Sequence, residues 1–325
     1  MPSARCFTVV ALCVVSTSCY ALVVPPEWRG PAFRPPNKQP DDGLERCSSC
    51  FLPTSWLALP LLAKREYNHD STIYTFGLPD GQSLELPVCA CLLLKAPGCG
   101  RPEGGGPHDF DGSDAVRPYT PISDNSVLGQ FEILVKRYDG GAVSQYLHAL
   151  PVGSPVEFKH IPFNIKAQYP FAGKRTFTML CGGTGIAPIF QALHKLLDTP
   201  GDERPVTLIF SNRAPQDILL KEELDAWARR LGPARLKLVY VVGDSADAPP
   251  PAGWVSTSEY VAESGWIDEA MVLKHAFPPS DDTLVFVCGV PGFYDVACGP
   301  RTTPELPEGT VLQRLGYTAG MVAKM

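Results

Sequence analysis

TFTMLCGGTGIAPIFQALHKLL, residues 176–197, decides the architecture of this chain. Its first six residues are apolar and β-prone, the composition of a buried strand. Gly182, Gly183, Thr184 and Gly185 interrupt that run, and Pro188 stands where the first turn of a helix tolerates a missing N–H. From Ile189 the apolar positions Ile189, Leu193, Leu196 and Leu197 recur at helical spacing. The stretch thus predicts a strand, a glycine turn and a helix. Glycines let a backbone approach a flat or phosphorylated ligand closely, and a helix start offers unpaired N–H groups to anions. Many α/β proteins turn a strand in this way for packing alone, and the G-x-G-x-x-G dinucleotide fingerprint is not matched. Taken alone, the stretch leaves a ligand site and a plain connection both open.

Downstream, the alternation continues. Residues 206–210 and 237–242 read as strands, with 219–231 a helix between them. A last strand at 283–287 ends in Cys288-Gly289-Val290-Pro291-Gly292, and a final helix is expected at about 308–315. Such alternation means a parallel sheet with helices on its faces, where ligands sit at the carboxyl ends of strands. Upstream the pattern differs. Short β-prone runs at 72–76, 92–94, 129–136 and 155–159 are separated by Pro79-Asp80-Gly81, Gly104-Gly105-Gly106 and Gly140-Gly141. They predict a small antiparallel barrel or sandwich. The polar, Gly-rich insertion at 98–112 reads as a surface loop.

The 325 residues suffice for two domains and a tail. With 45% apolar and 19% charged residues the chain can bury a core, and a net charge of −6 argues against nucleic acid as a general partner. Eleven cysteines show no disulfide or zinc spacing apart from Cys47-x-x-Cys50, an isolated pair, and no metal site is expected. Residues 6–24 carry no charge and follow Arg5. At ~1.5 Å per residue they could just span a bilayer, and they equally have the form of a cleavable targeting signal. Residues 25–50 are proline-rich and read as a linker. The expected division is 1–24 signal or membrane anchor, 25–50 linker, 51–168 β-barrel domain and 169–325 α/β nucleotide-binding domain.

Two upstream motifs carry ligand chemistry. In Arg117-Pro118-Tyr119-Thr120-Pro121-Ile122-Ser123 the Arg offers a fixed positive fork, the Tyr a ring to stack and the Thr a short donor. A Pro-flanked Tyr with a surface Arg is also ordinary in a strand. Gly140-Gly141-Ala142-Val143-Ser144 opens a helix bearing Tyr146, Leu147 and Leu150, and its free N-terminus suits a pyrophosphate. A plain N-cap role explains Ser144 equally well.

RPYTPIS, GGAVSQYL, CGGTGIAP and CGVPGFY stand here in the order and spacing of the NADH–cytochrome b5 reductases, within the ferredoxin–NADP reductase-like superfamily. The ending LGYTAGMVAKM is similar to the tail of the membrane-bound members, and the resemblance covers about residues 51–325. It implies an antiparallel FAD-binding barrel followed by an NADH-binding α/β domain, with NADPH also possible. On that resemblance Arg117 would pair with the FAD phosphates, and Pro118 and Val135 would line the flavin site. Tyr119 would lie against the flavin, and Thr120 would hydrogen-bond near its N5. Gly141, Ala142, Val143 and Ser144 would cradle the pyrophosphate. Gly182, Gly183, Thr184 and Gly185 would admit the nicotinamide nucleotide, with Cys288 and Pro291 at its pocket. Tyr119, Thr120 and Cys288 would then stand nearest the chemistry.

The chain departs from the family pattern at Cys89-Ala90-Cys91 (usually Gly-Gln-His), Ala142-Val143 (Lys-Met), Ala187 (Thr), and Ala323 and Met325 (aromatics). Asp244 is the nearest candidate for the acidic residue that favours NADH. The six histidines (His69, His108, His148, His160, His194 and His275) fall outside the ligand motifs. The implied activity is hydride uptake from NADH and single-electron delivery to a haem protein such as cytochrome b5. Alternatives are the reductase component of a chain serving a ferredoxin-like or nitrate-reducing partner, or a non-catalytic flavin-fold binding module. An anchored enzyme would sit at the endoplasmic reticulum or mitochondrial outer membrane, a cleaved one in an organelle or the secretory lumen.

Overall fold

The computed structural model describes residues 50–325 other than 104–105, 107–108, 163–165 and 246–248. The uncharged run 6–24, the proline-rich segment through residue 49 (with it Cys47), and the centre of the 98–112 insertion with His108 lie outside the described residues. Among those described, no helix is long and apolar enough to cross a membrane.

Six strands form the first sheet: β1 (Leu57–Glu66), β2 (Ser71–Gly77), β3 (Leu92–Ala96), β4 (Ala115–Tyr119), β5 (Gln130–Lys136) and β6 (Pro155–His160). Their order is β4-β3-β6-β1-β2-β5, antiparallel throughout, and helix α1 (Ala142–Ala149) separates β5 from β6 in the chain. Phe131 on β5 and Phe158 on β6 have ring centroids 5.4 Å apart, and Phe76 on β2 lies 4.7 Å from Phe158. Laid flat, β5 and β6 would stand roughly 14 Å apart, three steps of ~4.8 Å. The sheet therefore curls round its apolar side chains into a half-barrel.

β1 lies outside the four runs anticipated here because Pro60 interrupts its pattern. The structure places that proline at a change of partner. Leu57–Pro60 pair with β6, pairing with β2 begins at Leu61, and the register shifts between Leu61 and Ala63.

The second sheet is wholly parallel, in the order β10-β9-β8-β7-β11-β12. Its elements run β7 (Thr176–Gly182), α2 (Ile186–Asp198), β8 (Val206–Asn212), α3 (Lys221–Leu231), β9 (Leu236–Val242), β10 (Tyr260–Ser264), α4 (Glu269–His275), β11 (Thr283–Cys288), α5 (Pro291–Ala297), α6 (Val311–Arg314) and β12 (Val322–Lys324). Three local expectations are corrected. A 3-10 turn at Gly183–Gly185 delivers the chain into α2 at Ile186, ahead of Ile189. α3 starts at Lys221 because Leu220 is held at φ 55°, outside helical geometry. The last helix is a single turn, Val311–Arg314.

From β7 the order grows one way to β8, β9 and β10 and the other way to β11 and β12. The direction of winding reverses between β7 and β11, and a crevice opens at such a point beyond the strands' carboxyl ends. α2 is buried along almost all of its first three turns, as expected of a helix covered on more than one side. It shares one apolar cluster with Ile73, Cys89, Ile122 and Leu134 of the half-barrel, so the core is continuous between the sheets.

Candidate functional site

A cleft of about 640 Å³ lies between the half-barrel and the carboxyl ends of β7 and β11. On the barrel side, Arg117, Pro118, Tyr119, Thr120 and Val135 line it. Among the described residues β4 pairs only with β3, and an edge strand is where a proline such as Pro118 is tolerated. Arg117 is exposed, its guanidinium donating to its neighbour Val116 C=O at 2.8 Å. Tyr119 is half-buried, and burial pushes its phenol well above the usual range, so the ring keeps its proton and can donate.

Gly141, Ala142, Val143 and Ser144 continue the same wall. The first bond of α1 runs from Gln145 N–H to Gly141 C=O at 2.9 Å, so the amides of residues 142–144 precede the helical ladder. Gly141 is the N-cap, and a Cβ there would fall on Ser144 Oγ and 3.1 Å from Tyr138 Cβ. Ser144 itself is not the N-cap. It stands inside the first turn, buried, its Oγ donating to Gly141 C=O (3.1 Å) and accepting from Tyr138 N–H (3.3 Å). That pair of bonds closes the 138–144 loop.

The opposite wall comes from the two switch-point loops. Thr184 and Gly185 line the cleft after β7, and Cys288 and Pro291 line it after β11. Gly182 and Gly183 do not reach it: Gly182 ends β7, and Gly183 takes the turn at φ 52°. Gly185 is needed for close approach, because a Cβ there would fall on the Cys288 carbonyl oxygen and 2.7 Å from its carbon. Burial pushes the half-buried Cys288 thiol up to about 11, against opposing pulls from Tyr294 and Arg301. Cys288 is therefore a protonated, neutral border of the cleft rather than a thiolate. Asp244 is exposed just past β9 and does not line the cleft.

Residues outside the motifs complete the walls. Among the described residues that line the cleft, Lys136, Lys166 and Arg301 join Arg117 as cations against one carboxylate, Asp295. A chain of net charge −6 thus presents a locally cationic cleft. Lys136 is tied to Asp70 at 2.6 Å. Cys89, Cys91 and Met325 also line the cleft. The backbone N–H of Met325 donates to Val287 C=O at 2.9 Å, and its own carbonyl accepts from Tyr294 OH. Chain order hides Met325 and Arg301, which reach the cleft only through β12 beside β11 and the loop after α5.

Buried Gln191 on α2 joins the walls: its Oε1 accepts from Cys89 N–H at 2.7 Å and its Nε2 donates to Pro121 C=O at 2.9 Å.

An oxidoreductase FAD-binding domain matches residues 58–162 and an oxidoreductase NAD-binding domain matches 179–299. NADH-cytochrome b5 reductase 2 of Saccharomyces cerevisiae is 34% identical over 273 residues, spanning 83% of this chain and 82% of that protein. The chain belongs to the NADH–cytochrome b5 reductase family. The NADH nitrate reductase of Petunia hybrida is also 34% identical, over 83% of this chain but 28% of its own length. Among solved structures, the cytochrome b5 reductase domain of Ulva prolifera nitrate reductase superposes with a TM-score of 0.69 at 31% identity, covering 85% of this chain and all of that one.

As a member of this family the enzyme is an oxidoreductase that binds FAD and a nicotinamide dinucleotide. The cleft fits both. The amides of 142–144 and the Arg117 guanidinium suit a diphosphate, and Tyr119 offers a ring face. Gly185 and Cys288 bring the two switch-point loops together on the opposite side of the same cleft.

Proposed function

We propose that this enzyme takes a hydride from NADH and passes single electrons to a haem protein such as cytochrome b5. The observation that carries the reading is the apposition of Arg117–Thr120 with Gly185 and Cys288 across one cationic cleft at the switch point. FAD, when bound, supplies the exchange between two-electron and one-electron chemistry. Arg117 and the α1 amides hold anionic phosphate, while Tyr119 and Thr120 present an uncharged donor face. Gly185 and Cys288 set how closely the nicotinamide approaches, since productive hydride transfer needs reacting atoms about 3–3.5 Å apart. Gly182 and Gly183 act one step back, by shaping the turn that carries Thr184. No titrating histidine is required.

A second acceptor, the haem domain of a nitrate-reducing system, is favoured by the Petunia and Ulva likenesses. Steady-state kcat/KM with ferricyanide, cytochrome b5 and a nitrate reductase haem domain separates these readings. Efficient turnover of cytochrome b5 is expected, and NADH oxidation by ferricyanide alone refutes the haem-protein assignment. A protein that bound FAD yet was not bleached by NADH would be a binding module. Asp244 is proposed to favour NADH over NADPH, and equal kcat/KM for the two nucleotides removes it from that role.

The division at residues 168/169 and the membrane placement of the head are part of the same proposal. A protein beginning at Phe51 is then expected to be yellow and active with ferricyanide.

A further inference from the structure

The cradle at the start of α1 has no charge of its own: residues 140–145 read Gly-Gly-Ala-Val-Ser-Gln. A cation nevertheless stands behind it, outside the residues that line the cleft. Arg101, from the insertion between β3 and β4, donates through Nη1 to Gly140 C=O, the carbonyl immediately before the N-cap. Its Nε is shielded from solvent and has no partner among the described residues, and no carboxylate there pairs with it. Its guanidinium carbon lies 5.4 Å from the centroid of the Phe110 ring.

The side chain is held there by a pinned neck. Gly100 N–H donates to Ser113 C=O at 2.7 Å, Asp111 N–H to Gly100 C=O at 3.1 Å, and Gly98 N–H to Asp114 Oδ1 at 3.2 Å. Gly100 must be glycine, because a Cβ would lie 2.8 Å from the Ser113 carbonyl oxygen. The neck leads directly into β4, which carries Arg117.

Two positive features thus meet without a protein anion between them: a partly shielded guanidinium and the positive end of α1. A shielded cation satisfied by one carbonyl is unfavourable unless an anion completes its surroundings. We propose that Arg101 is a second arginine of the diphosphate cradle, placing a guanidinium from the insertion beside the amides of 142–144. The proposal rests on the reading of that cradle as the FAD diphosphate site. It gives the insertion a cofactor-holding role that Arg117 alone does not fill.

The test is FAD affinity of the full-chain apoprotein, measured by quenching of flavin fluorescence, together with apoprotein thermal unfolding. Arg101→Ala is expected to weaken FAD roughly ten- to a hundredfold, the usual effect of one charge-assisted contact, at nearly unchanged unfolding temperature. Arg101→Lys should retain most of the affinity. In the Arg101→Ala background, Ala142→Lys should restore it by returning a cation to the cradle from the helix side. A merely structural staple would not be rescued in this way. Wild-type FAD affinity in Arg101→Ala, or a loss that Ala142→Lys does not recover, overturns the proposal. Arg117→Ala separates the two readings. If it loosens FAD while Arg101→Ala does not, the cradle stands and the Arg101 assignment fails; if neither does, the diphosphate lies elsewhere and both fail.

Discussion

The two walls of the cleft are built on opposite principles. The half-barrel wall is polar and cationic: exposed Arg117, the amides of 142–144, and Lys136 nearby. The wall at the parallel sheet is tight. Gly185 rests on the Cys288 backbone, and a Cβ on Gly289 would meet the Phe293 ring at 2.7 Å. Charge-assisted contacts tolerate small displacements, because several donors can follow an anion. Backbone-to-backbone contact does not, because neither partner can rotate away. One wall is suited to hold an anion by charge, and the other to fix a distance by shape.

Gly185→Ala is expected to have the largest effect on the tight wall. The added methyl meets main chain on β11, so the switch-point loops have to separate. We expect a loss of about 3 kcal/mol in stability and roughly a hundredfold in kcat/KM for NADH, with FAD still bound. Gly183→Ala is the control, since it meets no atom within 4 Å and only its φ of 52° is strained. It should cost about 1–2 kcal/mol. Equal effects of the two substitutions would mean that close approach at Gly185 is unimportant.

Gln191→Leu tests how the walls are joined. It leaves Cys89 N–H and Pro121 C=O without their partner in the interior. Each unpaired group costs about 1–3 kcal/mol, so a loss of about 2–4 kcal/mol in denaturant unfolding is expected. A neutral outcome would show that the shared apolar core suffices.

Arg117→Ala should do the reverse of Gly185→Ala. An exposed side chain contributes little to folding, and stability should stay within about 0.5 kcal/mol. FAD affinity should fall roughly ten- to a hundredfold, corresponding to about 1.5–3 kcal/mol. Undiminished flavin retention through dialysis would remove charge from the account of this wall.

The smallest effect concerns acid. His160 on β6 and His275 on α4 are buried, and burial lowers the pKa of each. His275 keeps a 2.7 Å contact to Glu263, which pulls the other way. Neither ring nitrogen of His160 has a partner among the described residues. The folded pKa of each lies below the unfolded value of about 6.5, so the unfolded chain takes up protons first. Their contribution is therefore present above about pH 6.5 and lost as pH falls through the folded value. His160→Leu should flatten the decline in Tm between about pH 7.5 and 5.5 by a few degrees, because about 1 kcal/mol moves Tm by only ~2–4 °C at this size. An unchanged slope would exclude His160 as a source of acid sensitivity.

Local chemistry made much of this protein legible in the sequence. An apolar run stopped by glycines, a proline in a first helical turn and the change from short strands to strand–helix alternation are all encoded within a few residues. They suffice for two sheets of different kinds and for most of the motif residues that line the cleft. The tertiary structure alone decided what depends on partners far apart in sequence. Pro60 falls within a strand because β1 changes neighbour there, and Ser144 closes a loop instead of capping a helix. Gln191 serves two loops 102 and 70 residues away. Met325 reaches the cleft from the end of the chain, and Arg101 reaches the Gly140 carbonyl from an insertion. The physical reason is common to all of them. A propensity is a property of neighbouring residues, whereas a buried hydrogen bond or a close backbone approach is a property of two segments that only the packed fold brings together.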